Sequence, residues 1–227
     1  MHESTWMDLF IDPHVVPHYV SYAFLGSLLL IAMALLLRGS MALVPRGFQN
    51  AVEAVAEAIL NLNRESLGRT WGDRFIPLTG TIFIYILVCN LMGLIPGFAA
   101  PTSDINVTAS MALPVFLATH YYGLKVHGPG YIKHFLGPVR SLMALPLMML
   151  IFVIEIIGHL ARPVTLSVRL FGNMTGKHII LIVLAILAPA VVPFFILALG
   201  VLVSVVQALV FCLLSVLYLA GAIEEAH

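Results

Sequence analysis

Residues Leu142–Ala188 read LMALPLMMLIFVIEIIGHLARPVTLSVRLFGNMTGKHIILIVLAILA. No soluble loop interrupts this run. Yet Glu155, His159, Arg162, Arg169, Asn173, Lys177 and His178 stand inside it. At 100° per residue, with Glu155 at zero, His159 and Lys177 fall at about 40°, Asn173 at about 0°, Arg162 at about −20° and Arg169 at about −40°. Six polar groups therefore share one face of a helix, and only His178 lies off it. The arithmetic assumes a helix that continues through Pro163, where a kink is expected. As one helix the run is about 70 Å long, over twice the roughly 30 Å of a bilayer's hydrocarbon, so it must tilt steeply or break.

The rest of the chain has the same solvent. Of 227 residues, 61% are hydrophobic and 10% are charged, and the mean hydropathy is +1.04. An ordinary soluble domain carries about 25% charged residues. Lipid is the expected surroundings, and the fold class expected is all-α integral membrane: about five membrane helices plus one amphipathic interfacial helix, the last two long and steeply tilted. Residues 1–227 read as a single membrane domain. The zero net charge gives no pull toward nucleic acid. Cys89 and Cys212 lie in apolar runs without metal-ligand spacing and read as buried thiols.

Tyr19–Leu37, Phe75–Ile95 and Val107–Leu124 are the first three candidate spans. Pro96, Gly97 and Pro101 break the chain after the second. Phe48–Leu67 differs: Phe48, Val52, Val55, Ile59 and Leu62 recur at helical spacing, with Glu53, Glu57, Asn61 and Arg64 opposite. This is an amphipathic helix for the membrane surface or a partner, with Pro45 just before its start. Pro189 and Pro193 bracket a turn, and Phe194–Ile223 is the last apolar stretch. Acidic residues before Tyr19, Arg38 and Arg46 after the first span, Asp104 in the next loop, and Lys125, Lys133 and Arg140 in the one after it agree with the positive-inside rule. They put the N-terminus outside and the C-terminus in the cytoplasm. The first apolar run follows acids and histidines and lacks the basic start of a cleavable signal peptide.

A charge at the bilayer centre costs about 2.5–3.5 kcal/mol on insertion scales. The polar stripe must therefore face water, a partner or itself. Arg169 is the sharpest case. Leu166, Val168, Leu170 and Phe171 surround it, and Glu155 is about 21 Å away along the axis. Its counter-ion is expected on another chain. Arginine keeps its proton at any relevant pH, so Arg169 suits a fixed charge and not a proton carrier. On the last helix Gly200, Ser204, Gln207, Ser215 and Tyr218 share a face suited to close packing or a wet cavity, and Gln207 needs a hydrogen-bond partner. Plainer roles stand beside these. Glu155 and His159 can simply bond each other, His178 can be a satisfied core histidine, and Gln207 can be helix glue. Arg162 and Lys177 fit snorkelling to lipid headgroups. His120, His127 and His134 read as a Gly/Pro-containing basic loop and not as a metal site.

Arg169-Leu170-Phe171-Gly172-Asn173-Met174 resembles the signature of subunit a of F-type (rotary) ATP synthase. Pro163–Val168, Pro101–Thr108, Asn90–Pro96 and the helix around Gln207 resemble that family too, and the likeness covers nearly the whole chain. The resemblance implies a proton-translocating stator subunit in the bacterial plasma (inner) membrane. It forms two aqueous half-channels against a ring of c subunits and couples ion flow to ring rotation. It implies Arg169 as the essential fixed charge facing the c-ring carboxylate, and a proton path through Glu155, His159, Asn173, His178, Gln207, Asn90 and Ser204. Glu155 matches the cytoplasmic half-channel; His178 and Asn90 match the outer one. Gly200 departs from relatives that carry an ionisable group there, which favours water over a paired relay with His178. The partners implied are the c-ring, the subunit b peripheral stalk, the rest of the ATP synthase and the lipid bilayer. No cofactor or metal is expected, and without GxxxxGK[ST] the chain itself holds no nucleotide chemistry. The alternatives are a stand-alone ion channel or secondary transporter, which needs an acid of its own for Arg169, and an intramembrane enzyme, for which no HExxH or GxSG motif is present.

Overall fold

A computed structural model describes residues 17–40, 47–95, 97–131, 145–187 and 192–224. Five long helices run through them: α1 (His18–Ser40), α2 (Phe48–Met92), α3 (Ile105–His127), α4 (Leu145–Leu187) and α5 (Val192–Ile223). Short 3-10 turns cover Pro101–Ser103 and Gly128–Gly130. No strand occurs among the described residues. Stretches of α1, α2, α4 and α5 are long and apolar enough to cross a membrane. The fifth helix, α3, has 23 residues, but Thr108, Pro114, Thr119 and His120 keep it below that apolarity. It packs instead against both α4 and α5. The protein is an all-α, multi-pass membrane protein.

The amphipathic segment and the second span are one 45-residue element, α2, divided at Gly68. Gly68 has φ 75° and ψ 167°, a conformation that side chains other than glycine disfavour. There the chain turns back on itself. Asn63 Nδ2 donates to Thr79 Oγ1 at 2.7 Å, and Arg64 Nε donates to Asp73 Oδ1 at 2.6 Å. Gly72 lets the two arms touch: a Cβ there would lie 2.9 Å from the backbone of Arg64. The buried line of the first arm runs through Ile59, Asn63 and Leu67. Of the apolar positions read from the sequence, Val52 and Leu62 are half-buried, while Phe48 and Val55 stay exposed. Glu53, Glu57, Asn61 and Arg64 are exposed, as the pattern implies.

This packing makes a testable contrast. Gly72→Val places a branched side chain against backbone, and overpacking of this kind costs about 1–3 kcal/mol. Gly80→Val, on the same element, meets nothing within 4 Å. Thermal unfolding of the purified protein in detergent should show a clear drop for Gly72→Val and little change for Gly80→Val.

The core is built by Phe75, Ile82, Phe83 and Ile86 of α2, Val107, Met111 and Val115 of α3, Leu166, Leu170 and Met174 of α4, and Ala208, Phe211, Val216 and Leu219 of α5. Outside it, Phe24, Leu28, Ile31 and Leu35 of α1, Val153, Ile157, Leu160 and Val164 of α4, and Leu199, Leu202 and Leu209 of α5 are exposed. In water such a surface would be anomalous, and in lipid it is the solvated face. Helix α1 is joined to α2 by Tyr85 Oη donating to Ala23 O at 3.1 Å. Tyr22 Oη donates to Gly97 O at 3.3 Å. Cys89 and Cys212 are free, buried thiols.

Helix α4 runs unbroken for 43 residues with Pro163 inside it, a length of about 65 Å. Pro193 sits in the first turn of α5, where a missing N–H costs nothing. Pro45, Pro96, Pro189 and His134 lie outside the described residues. One reading is corrected. His120 and His127 belong to the helical α3 and not to a loop, because the helix continues three residues past Leu124, and Gly128, with φ 57°, then ends it.

Candidate functional site

The polar stripe of α4 straddles the edge of its packed face. Leu166, Leu170 and Met174 are buried and fall at about 20°, 60° and 100° on the same helical count. His159 and Lys177, at about 40°, therefore turn inward, and both are half-buried. Arg169, at about −40°, turns outward and is exposed, as is Asn173. Among the described residues no carboxylate lies within ion-pair distance of Arg169; the pairs found are Arg64 with Asp73 and His159 with Glu155.

On the side of Arg169 nearer the start of α4, the stripe meets α3 and the end of α5. His159 Nε2 and Glu155 Oε1 are 3.3 Å apart, with the histidine side chain 12% and the glutamate 44% exposed. The His120 ring lies edge-on to that of His159, centroids 5.3 Å apart. A cavity of about 80 Å³ opens among His127, Tyr131, Glu155, His159, Arg162, Gly221 and Ala222. Polar walls and this volume suit a few waters. Burial raises the Tyr131 hydroxyl above its ordinary range. Gly123 makes room for that ring, since a Cβ there would lie 2.5 Å from Tyr131 Cε2. The Arg162 guanidinium lies 5.4 Å from the centre of the Tyr218 ring, a cation–π contact that holds it to α5.

On the other side, the stripe meets the soft face of α5. Asn173 Nδ2 donates to Gln207 Oε1 at 2.6 Å, which gives Gln207 its partner. Lys177 Nζ donates to Ser204 Oγ at 3.4 Å, and Ser204 Oγ donates to Gly200 O at 2.7 Å. Behind Ser204 lies Asn90, buried, with its Nδ2 3.5 Å from Ser204 O. Thr102 Oγ1 donates to Asn90 Oδ1 at 2.6 Å, and Thr175 Oγ1 donates to Ser103 O at 3.4 Å. The turn after the second span thus seats Asn90 and ties α4 to it. His178 is half-buried on the neighbouring face. An open cleft of about 530 Å³ runs along Asn173, Lys177, Gly200, Val203 and Gln207. The absent side chain at Gly200 matters here, because a Cβ would lie 2.6 Å from Leu94 Cδ2 and 3.5 Å from Lys177 Cδ.

Six of the site residues named from the sequence thus fall in two groups, Glu155 with His159, and Asn90, Asn173, Ser204 and Gln207, with Arg169 between them along α4, while His178 lies outside both on the neighbouring face. Sequence reasoning passes over Thr102, Tyr131 and His120 as site residues, and takes Lys177 for a snorkelling side chain where it bends into the cleft. Thr102 carries a signal, since it stands in the Pro101–Thr108 motif. His120 carries none, because its neighbour His159 is 39 positions away in sequence.

Four helices long and apolar enough to cross a membrane among the described residues, two of them sharing a polar seam around an outward arginine, define a polytopic membrane protein. Residues 20–220 match the family described as ATP synthase A chain. The chain is 49% identical over 208 residues to ATP synthase subunit a 3 of Pelobacter propionicus, covering 92% of this chain and 88% of that one. Over the same shares of both chains it is 48% identical to ATP synthase subunit a of Trichlorobacter lovleyi and 46% identical to that of Geobacter sulfurreducens. The protein belongs to the ATP synthase A chain family.

Proposed function

We propose that the chain is the proton-translocating stator subunit of an F-type ATP synthase in a bacterial plasma membrane, working as a single membrane unit against a rotating c-ring and held by the subunit b stalk. The observation that carries this is Arg169: a permanent cation on an outward helix face, with no acid partner among the described residues. A ring carboxylate passing along α4 supplies the missing charge. Arg169 keeps that carboxylate ionised while it passes and blocks direct proton flow between the two polar groups.

The roles then divide by geometry. Glu155 and His159, with the small polar cavity beside them, serve the half-channel on the side of the basic last turn of α3, with Lys125 and His127, which the positive-inside rule makes cytoplasmic. Asn90, Asn173, His178, Ser204 and Gln207 serve the outer half-channel, and Lys177 joins them by lining its cleft. Glu155 and Lys177 are 22 residues apart, about 33 Å along the length of α4. Neither group spans the membrane alone. A proton crosses only by riding the ring between them. Each charge moved through 100 mV is worth about 2.3 kcal/mol, and ATP forms elsewhere in the complex. This chain moves protons and does no nucleotide chemistry.

Affinity purification of the tagged chain from mild detergent should bring down a c-ring and the ATPase subunits in fixed ratio. Recovery of the chain alone from membranes that make ATP would reject the assignment. Within the complex, Glu155→Gln and Gln207→Leu should each lower proton flux partially. Unchanged flux in both would assign these residues to packing.

A further inference from the structure

Away from the polar seam, α2 and α3 share a cluster of rings topped by two cations. The apolar stretch of α2 opens at Phe75, and Arg74 stands just before it. Trp71 stacks on Phe75 with ring centroids 5.8 Å apart. Tyr122 of α3 meets both rings edge-on, at 5.8 Å and 4.7 Å. The Arg74 guanidinium lies in the notch between them, 5.5 Å from the centre of the Trp71 ring and 5.9 Å from that of Tyr122. The Tyr121 ring is 5.1 Å from that of Tyr122, and Lys125 Nζ lies 5.8 Å from its centre. Both cations are exposed. Among the described residues neither has a carboxylate within ion-pair distance, since the neighbouring acid, Asp73, is held by Arg64. The rings seat the two charges through cation–π contacts and leave their N–H donors for another acceptor.

We propose that Arg74 and Lys125 hold the phosphodiester headgroup of an anionic phospholipid of the cytoplasmic leaflet, with an acyl chain of that lipid lying along α3. Depth is the first reason. Aromatic rings beside cations at the end of an apolar stretch mark the level of the headgroups, and the positive-inside rule places this end in the cytoplasm. Donor geometry is the second. The guanidinium presents a flat fork that matches two phosphate oxygens, and the ammonium adds a second point charge beside it. The third is an apolar track. Tyr121, Leu117 and Leu113, at successive four-residue steps back from Lys125, are all exposed. Residues four apart lie on one face of a helix. The 12 residues from Leu113 to Lys125 cover about 18 Å, a little over one leaflet of a roughly 30 Å hydrocarbon core. A free phosphate would meet the cations and leave that track unused, whereas a lipid fills both. Basic pockets between membrane helices on the cytoplasmic side suit such headgroups. The bound lipid would clamp the cytoplasmic ends of α2 and α3 together. The site is separate from the α4 seam and does not depend on what that seam does.

The test titrates the full chain, purified in mild detergent, with phosphatidylglycerol or phosphatidylcholine and counts bound lipids by native mass spectrometry. The native chain should retain phosphatidylglycerol in preference to phosphatidylcholine. Each cation facing an anionic headgroup is worth about fivefold. Arg74→Gln with Lys125→Gln should therefore weaken phosphatidylglycerol binding by about 20- to 30-fold and abolish the preference. Arg38→Gln, which removes an exposed cation from the last turn of α1, should leave it unchanged. Equal retention of the two lipids by the native chain, a preference that survives in the double variant, or an equal loss in Arg38→Gln would each overturn the proposal. So would displacement of the lipid by millimolar inorganic phosphate, which would assign the cations to a soluble anion. If the double variant does not fold, Lys125→Gln alone, at an exposed position, should still lose about fivefold, and native affinity there would count against the site. In native membranes, a photo-reactive benzoylphenylalanine in place of Tyr121 should cross-link to lipid. Cross-linking to a neighbouring protein in its place would show that a protein covers the patch, and the lipid assignment would fall.

Discussion

Arg169→Ala is expected to abolish ATP-driven proton pumping while the complex still assembles. The two halves of that statement have separate causes. Assembly survives because the side chain is exposed within this chain and holds no carboxylate of its own among the described residues. A surface substitution of that kind usually stays within about 0.5 kcal/mol. Under the proposed mechanism pumping fails because the ring carboxylate loses the fixed cation that Arg169 supplies. Removing one partner of a desolvated ion pair costs about 3–5 kcal/mol, which at about 1.4 kcal/mol per decade is at least a hundredfold. Arg169→Lys should rescue little, since an ammonium is a point charge that sheds its proton when desolvated. Quenching of a pH-sensitive dye in inverted vesicles, with immunoblots for assembled complex, reads both halves. Normal quenching in Arg169→Ala would remove the foundation of the mechanism.

Thr102→Val should cost both stability and flux. The substitution keeps the shape and deletes one hydroxyl. It leaves Asn90 Oδ1 without its 2.6 Å donor, and both residues are fully buried. A stranded buried acceptor costs about 1–3 kcal/mol. Asn90 would then shift from Ser204, and with it the polar wall behind Lys177. The double variant Asn90→Leu with Thr102→Val separates the effects. Replacing both partners by apolar groups is often nearly neutral for stability, so the unfolding temperature should recover. Proton flux should not, because the polar wall is gone. Recovery of both together would show that Asn90 only packs.

The helices are legible in the sequence because lipid simplifies the rule: apolar length marks a span, and breakers mark its ends. The division at Gly68 is legible too, as the place where the amphipathic period stops. Its outcome is not. Nothing local in Asn63 or Gly72 announces that the first arm folds back onto the second. The Asn63–Thr79 bond exists only once it does. The stripe on α4 is legible because helical geometry alone puts its members on one face. Which of them turn inward depends on where Leu166 and Leu170 find their partners on α3 and α5, a long-range fact. Lys177 departs from its sequence reading for that reason. Lipid snorkelling is the usual answer for a lone lysine in an apolar run, and Ser204, 27 positions away, supplies the unusual one by accepting a hydrogen bond from its ammonium. His120 and His159 come together only through the packing of α3 on α4.

The unbroken course of α4 has an evolutionary corollary. Because Glu155, Arg169 and Lys177 ride on one rod, their relative bearings are set by residue count alone. A single inserted or deleted residue between them would swing one end of the seam by about 100° and carry it into lipid. Substitutions can accumulate on the outer flank, where Val164 and Val168 are exposed, but indels cannot. Over the history of the family, the spacing from Glu155 to Lys177 should behave as a frozen ruler while the sequence around it drifts.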